Sequence, residues 1–492
     1  MRNQTLVRLD FDQYKDRVYA CWLGKNIGGT MGTPYEGQRR TWDIQGFATE
    51  PGKPMPNDDL DLQLIWLHAV EQMGPYAINA ATLGEFWISL IPPNWNEYGV
   101  GKNNIKRGLI PPLSGDYQNS WKNSNGAWIR TEIWACLAPG CPEIAAKYAI
   151  EDASVDHGAG EGTIAAAFVA AMQASAFVVG DVRKCIELAL TAIPADSRMA
   201  DSVSFTLECY DRGVDPITAA KEIQKRNSDI GDGWFEAPSN VAYAVIGLLW
   251  GEGDFKKSMI TAINCGDDTD CTGATVGATL GILGGTHAIP EDWKRHVGDD
   301  IVTVSINRGD FYTGASVPKT CSELTERVVA QAPFVLYANH TAAELCDKES
   351  MINQGSVDYV RDQCASLQRN VKFVPYSARF YSPVLSAEVI LDSSPDIAPN
   401  ESKNVSVTVS CNRMLGDELC NIQCRWWLPE GFEVSGKTTA IITNKNAHDS
   451  GLAELHFEIK AGDGVRADNR CVLEIMPIGR GIPLYASILL LG

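Results

Sequence analysis

Two hydrophobic periods divide this chain. From the N-terminus to about residue 335, apolar positions recur with helical spacing. Tyr14, Val18, Cys21 and Trp22 fall at i, i+4, i+7 and i+8, one face of an amphipathic helix, and Gly24, Gly28, Gly29 and Gly32 are expected to end it. Leu60, Leu64, Leu67 and Val70 line one face of a second helix that opens near Asp59. Further helices are predicted at about 142–152, 161–179, 181–192, 197–211, 216–226, 238–250 and 255–264. The all-small helix 161–179 and a glycine-punctuated helix over 273–285 suit a crowded centre where neighbours approach closely. Thr320 to Glu323 reads as a capping box that opens a helix to about 331. Residues 75–125, with Trp87, Trp95, Trp121, Pro92 and Pro93, read as loops of the kind that line pockets.

From about residue 384 the period falls to two. Val405, Val407 and Val409 alternate with Ser and Thr, and Leu455, Phe457 and Ile459 alternate with polar residues. Other strands are predicted at 386–392, 421–428, 438–443, 470–477 and 483–491. Short strands at this spacing predict an all-β, Ig-like sandwich. The expected organisation is therefore an all-α domain over 1–335, a transitional linker over 336–383 with weak helical character, and a β-sandwich over 384–492. Trp426-Trp427 suggests a sugar platform, but one of two adjacent strand residues faces the core, and core packing is the better reading.

Composition narrows the function. A chain of 492 residues is expected to form two or three domains. A net charge of -19 argues against binding nucleic acid or anionic membrane. Thr163 to Gly180 is apolar, but it is short for a span and carries Gln173 and Ser175, so it reads as a core helix. Met1 to Phe11 lacks the apolar stretch of a signal peptide. The 14 cysteines are scattered with no C-x-x-C pair, which points to reduced thiols and a cytoplasmic protein.

The chemistry concentrates in two acidic clusters, Asn57-Asp58-Asp59-Leu60-Asp61 and Gly266-Asp267-Asp268-Thr269-Asp270. Each stands at the start of an apolar helix, where the helix dipole by itself favours acids. If the two helices lie side by side, four carboxylates converge, with Asn57 and Thr269 as neutral oxygen donors. That set suits one or two six-coordinate Mg²⁺ ions, with Mn²⁺ as a substitute. Asp61 and Asp267 are read as supports behind the ligands or as simply solvated, with solvation the better reading.

These motifs, taken in order, resemble the ADP-ribosylglycohydrolases, the group that includes the dinitrogenase-reductase-activating glycohydrolase. The family's G-x-x-x-G-x-x-x-G-x-P-x-E pattern is similar to Gly24, Gly28, Gly32, Pro34 and Glu36. Its Asp-Asp metal pair resembles Asp58-Asp59, and its N-G-A-x-x-R segment resembles Asn125 to Arg130. Its S-x-x-H step resembles Ser154 to His157, and its G-x-D-T-D pattern resembles Gly266 to Asp270. The resemblance covers residues 15 to about 330 and not the β domain.

The resemblance implies an all-α domain around a binuclear Mg²⁺ centre and cleavage of a ribosyl glycosidic bond. It implies Asn57, Asp58, Asp59, Asp268 and Asp270 as metal ligands, and Glu36 and Asp59 as catalytic groups. It implies Asn125, Gly126 and His157 as substrate contacts, while Arg130 reads equally well as an ion-pair partner. The chain departs from the family at Gly29, where Asp is usual, and at Asn57 and Leu60, where threonines flank the Asp pair. It departs again at Cys271, where Ser or Thr is usual; a thiol is a poor ligand for a hard ion.

Three functions follow. The first is a hydrolase of ADP-ribose conjugates. The second is a glycosidase of the same fold acting on another furanosyl or glycan substrate. The third is a non-catalytic binding or structural protein, as the family's lens-crystallin relatives suggest. The partner of the β domain is not identified by the sequence.

Overall fold

A computed structural model describes residues 5–307, 316–411, 420–442 and 451–492. Contacts group the chain into two compact units. The first comprises Met1–Pro93, Trp121–Ala153 and Gly160–Lys372; the second comprises Asn94–Ser120, Ser154–Ala159 and Phe373–Gly492. The helical unit thus continues past residue 335, and a segment from 94 to 120 groups with the strands.

The first unit is built around an antiparallel helix pair. The helix Phe11–Gly32 does not stop at its glycines but runs through all of them. They are its contact surface. A Cβ on Gly24, Gly28 or Gly32 would strike backbone atoms of Gly277, Gly273 or Thr269-Asp270 in the helix Thr269–Gly284. A Cβ on Gly281 would strike the Ala20 carbonyl. Helices with side chains between them pack roughly 8–10 Å apart; a seam of bare backbone allows a closer approach. The Thr269 hydroxyl donates to the Gly32 carbonyl at 2.9 Å and pins the end of one helix to the start of the other. That bond turns Thr269, expected as a metal donor, toward packing.

Around this pair, helices occur at Pro142–His157, Glu161–Ala176, Val182–Leu190, Arg198–Asp211, Pro216–Arg226, Ala237–Trp250 and Phe255–Asn264, each within a few residues of its predicted place. Glu161–Ala176 is buried at every position after its first, as a core helix. Among the described residues no helix is long and apolar enough to cross a membrane. Thr320 caps the helix Cys321–Ala338, accepting from the Glu323 amide at 3.0 Å. The strands β1 (Val7–Asp10) and β2 (Ala343–Cys346) pair in parallel and join the two ends of this unit's sequence.

Residues 75–125 hold more helix than their composition suggests: Ala80–Leu90 and Asn96–Arg107. The residues that read as loop formers are the helix ends. Asn79 caps the first by accepting from the Thr82 amide, and Gly108, at φ 109°, ends the second in the left-handed conformation.

Among the described residues of the second unit, nine strands form two antiparallel sheets. They are β3 (Ser377–Tyr381), β4 (Leu385–Leu391), β5 (Ser402–Cys411), β6 (Cys420–Trp427), β7 (Glu433–Gly436), β8 (Thr439–Ile442), β9 (Leu452–Lys460), β10 (Asp468–Pro477) and β11 (Leu484–Leu491). One sheet runs β3-β4-β5-β9-β7 and the other β11-β10-β6-β8. The short β3 and β7 were not predicted, and residue 443 of the strand expected at 438–443 lies outside the described residues. β9 buries every second residue, as its period of two requires. Leu109, Leu113 and Tyr117 join the sandwich core, and Tyr117 donates to Asp396 at 2.7 Å. Trp426 packs edge-on against Phe457 toward the core, while Trp427 is half exposed under the Arg425 guanidinium.

Candidate metal centre

The glycine seam sets the end of the first helix beside Asp270, in the first turn of the second. A third helix, Asp58–Met73, completes the site. Its cap is Asn57, whose Oδ1 accepts from the Asp59 amide at 2.7 Å. The Asn57 Nδ2 donates to Asp270 Oδ2 at 3.3 Å. Asn57 was expected to coordinate a metal through its carbonyl; here that oxygen caps a helix and the amide orients Asp270.

The acidic loop is held in an uncommon backbone shape. Gly266 and Asp267 have φ of 88° and 66°. For the non-glycine Asp267 that conformation costs of order 1–3 kcal/mol. Four hydrogen bonds hold it. Its carbonyl accepts from the Gly37 amide at 3.0 Å and its amide donates to the Gln38 carbonyl at 3.3 Å. Its Oδ2 accepts from the Phe235 amide at 2.6 Å and from Asn240 Nδ2 at 2.8 Å. The same ladder brings Glu36, one residue before Gly37, to the loop.

Asp61 works in a similar way, accepting from the Val304 and Ser305 amides at 2.7 and 2.6 Å. Both aspartates were expected to be solvated, yet both are wholly buried. Burial pushes each carboxyl up to about 7 despite these bonds. Sequence alone does not report burial, and only their place beside other acids marked them.

Within this frame Glu36, Asp268 and Asp270 each offer an oxygen, all within 4.8 Å of one another. Asp59, Asp270 and the Cys271 thiol form a second such group, also within 4.8 Å. Asp270 belongs to both. Asp58 is half-buried at the first helical position and adds its charge to the field at Glu36 and Asp59. Both Asp59 oxygens, Asp268 Oδ1 and Asp270 Oδ1 are buried without a hydrogen-bond donor. Buried polar atoms are rarely left so. Oxygens of like charge pointed into one space are compensated by a cation, so the residues fit a metal ion.

The titration of the cluster reflects this crowding. Burial raises Asp270 well above the usual carboxylate range, reinforced by Glu36 and Asp268. Burial likewise raises Asp59, against the opposing pull of Lys25. Glu36 stands at the exposed edge, and the protein wall around its carboxyl, with Asp268 and Asp58, pushes it up to about 8.

Behind Asp59 lies an ion pair that sequence reading missed. Lys25 Nζ is 3.1 Å from Glu132 Oε2, with neither side chain exposed. Gln63 and Gln173 donate to Glu132 at 2.9 and 3.0 Å, and Gln63 also donates to the Asp59 carbonyl at 2.9 Å. Glu132 neutralises the nearby lysine, so the cluster keeps its surplus negative charge. The available signal was a lysine inside the apolar run Leu23-Gly24-Lys25-Asn26-Ile27.

Of the expected substrate contacts, Asn125 lies against the cluster. Its Nδ2 donates to Asp268 Oδ2 at 2.6 Å, and its Oδ1 accepts from Trp128 Nε1 at 3.1 Å. The Gly126 carbonyl accepts from Arg130 Nη1 at 2.5 Å, and Arg130 forms a buried ion pair with Asp152 at 2.9 Å. His157 falls in the second unit, buried, with Nδ1 2.9 Å from Asp156 Oδ1.

Comparison with known proteins adds the family. Residues 10–329 match the family described as ADP-ribosylglycohydrolase. One similar solved structure is described as an ADP-ribosylglycohydrolase-related protein complex. It is 20% identical with a TM-score of 0.42, and the alignment covers 67% of this chain and 100% of that one. A FixG-related protein from Vibrio parahaemolyticus is 9% identical with a TM-score of 0.18, covering 23% of this chain and 97% of that one. No curated protein matches the chain. The family match runs through more than half of the chain and takes in Glu36, Asp58, Asp59, Asp268 and Asp270. The chain belongs to the ADP-ribosylglycohydrolase family.

Proposed function

We propose that this protein is a divalent-metal-dependent glycosyl hydrolase that cleaves a ribosyl bond and releases ADP-ribose from a conjugate. The observation that carries this reading is the set of donor-less, buried carboxylate oxygens on Asp59, Asp268 and Asp270, in a chain of this family. These three, with Asp58 and Glu36 at the edge, would hold Mg²⁺, or Mn²⁺ in its place. Bound there, the ion supplies a Lewis acid for a sugar diol and for water.

The protein's own groups do the rest. Asn125 and Asn57 fix Asp268 and Asp270, each through one oxygen, and leave the other oxygen of each free to face the site. Asp59 is set by the helix start that Asn57 caps. Glu36, at the solvent-accessible edge of the cluster, is placed to take or return a proton, as a general acid–base group must.

The test is a substrate panel beside a metal titration. Release of ADP-ribose from at least one conjugate is expected, together with Mg²⁺ binding that Asp268→Ala abolishes. Turnover of aryl furanosides alone would assign the site to a different furanosidase. No binding of any divalent ion, or binding unchanged in Asp268→Ala, would assign the fold to a non-catalytic role.

A further inference from the structure

We infer that Cys271 is a metal ligand and gives this centre a preference for softer divalent ions, Co²⁺ or Zn²⁺, over Mg²⁺. The inference rests on the metal centre proposed above and concerns which ion it takes. The Cys271 Sγ lies within 4.8 Å of both an Asp59 oxygen and an Asp270 oxygen. The thiol does not stand alone. Asp59 is wholly buried with neither carboxylate oxygen hydrogen-bonded, and Asp270 Oδ1 is buried and equally without a donor. An ion drawn to these oxygens meets the sulfur in the same space.

The surroundings leave the sulfur little else to do. Cys271 is buried in the first turn of the helix Thr269–Gly284 and forms no disulfide. The backbone of Thr269 and Asp270 is fixed against Gly32 by the seam, so the first turn cannot swing away without breaking it. Oxygen-only sites suit Mg²⁺, whereas one sulfur among carboxylates favours ions later in the first transition row. On coordination the thiol binds as thiolate and its proton passes to solvent.

The experiment loads the metal-free full-length protein with Co²⁺ and records its near-ultraviolet spectrum. A thiolate-to-cobalt charge-transfer band is expected in the wild type and absent in Cys271→Ser. Competition titrations are expected to show the ratio of Zn²⁺ to Mg²⁺ affinity falling roughly tenfold or more in Cys271→Ser. Zinc K-edge X-ray absorption of the wild type needs no variant, and a sulfur neighbour at about 2.3 Å is expected. Stoichiometric metal binding with no charge-transfer band and no sulfur neighbour would overturn the role of Cys271 and leave the centre standing. No binding of any divalent ion would overturn both.

Discussion

Lys25 and Glu132 face each other at 3.1 Å with no solvent contact, directly behind the carboxylate of Asp59. Removing one partner strands the other charge in the interior. Lys25→Met is expected to lower unfolding free energy by about 3–5 kcal/mol in urea denaturation. Lys25→Met combined with Glu132→Gln should recover part of that loss. A double variant no more stable than Lys25→Met would show that the pair is not coupled.

The glycine seam predicts a sharp positional contrast. Gly28→Ala drives a methyl group into the Gly273 carbonyl and should cost about 1–3 kcal/mol or more. Gly180→Ala meets nothing within 4 Å and should stay within about 0.5 kcal/mol of wild type. Equal effects in chemical denaturation would rule out a seam limited by backbone contact.

Much of this architecture was legible in the sequence. Long stretches with helical period gave helices within a few residues, and the C-terminal alternation gave seven of the strands. The misreadings share a cause: one residue type serves two physical ends. Glycine at 24, 28 and 32 reads as a helix breaker, but the same spacing of four recurs at 273, 277 and 281, and that repetition marks two matching contact faces. Asn79 and Gly108 signal loops and cap helices instead. The four-residue β1 and β2 are too short to show a period. At the site, the acids were identifiable by their crowding. Lys25, Glu132 and the hydrogen bonds of Asp61 and Asp267 depend on burial, which emerges only in three dimensions.

Stability should depend on pH in a direction opposite to most acidic proteins. Glu36, Asp59 and Asp270 have folded-state pKa values raised above those of an unfolded chain. A raised acid favours the fold while protonated, so its contribution is complete below about pH 4–4.5 and is lost as pH rises. For Glu36 the loss begins above about pH 4.5 and is complete once pH passes about 8. The metal-free melting temperature should therefore fall between pH 5 and pH 8 by calorimetry, and added divalent metal should raise it most at the upper end. A metal-free melting temperature that rises across this window would contradict the assignment of these acids as uncompensated.

Neutralising one proposed ligand should separate stability from binding. Asp270→Asn removes an acid that burial and its like neighbours disfavour in its charged form, and is expected to stabilise the metal-free protein at pH 8. The same variant should lose metal binding. A variant less stable than wild type without metal, measured by urea denaturation, would argue that Asp270 is already paired.

Asn125 separates positioning from coordination. Asn125→Ala frees the Asp268 oxygen it holds at 2.6 Å and leaves Trp128 Nε1 without its acceptor. Metal affinity should fall about 10–100-fold by titration calorimetry. Unchanged affinity would move Asn125 from a support of Asp268 to a direct substrate contact.

The seam also limits what later change can do to this protein. Where a large side chain clashes with another, shrinking the partner can restore the fit. Where Gly24 meets Gly277, and Gly28 meets Gly273, both partners already have the smallest side chain. No second-site replacement on the opposite helix can make room, so a substitution at either position must move the whole helix. Because Asp270 stands on that helix, any such accommodation would shift the acidic cluster with it.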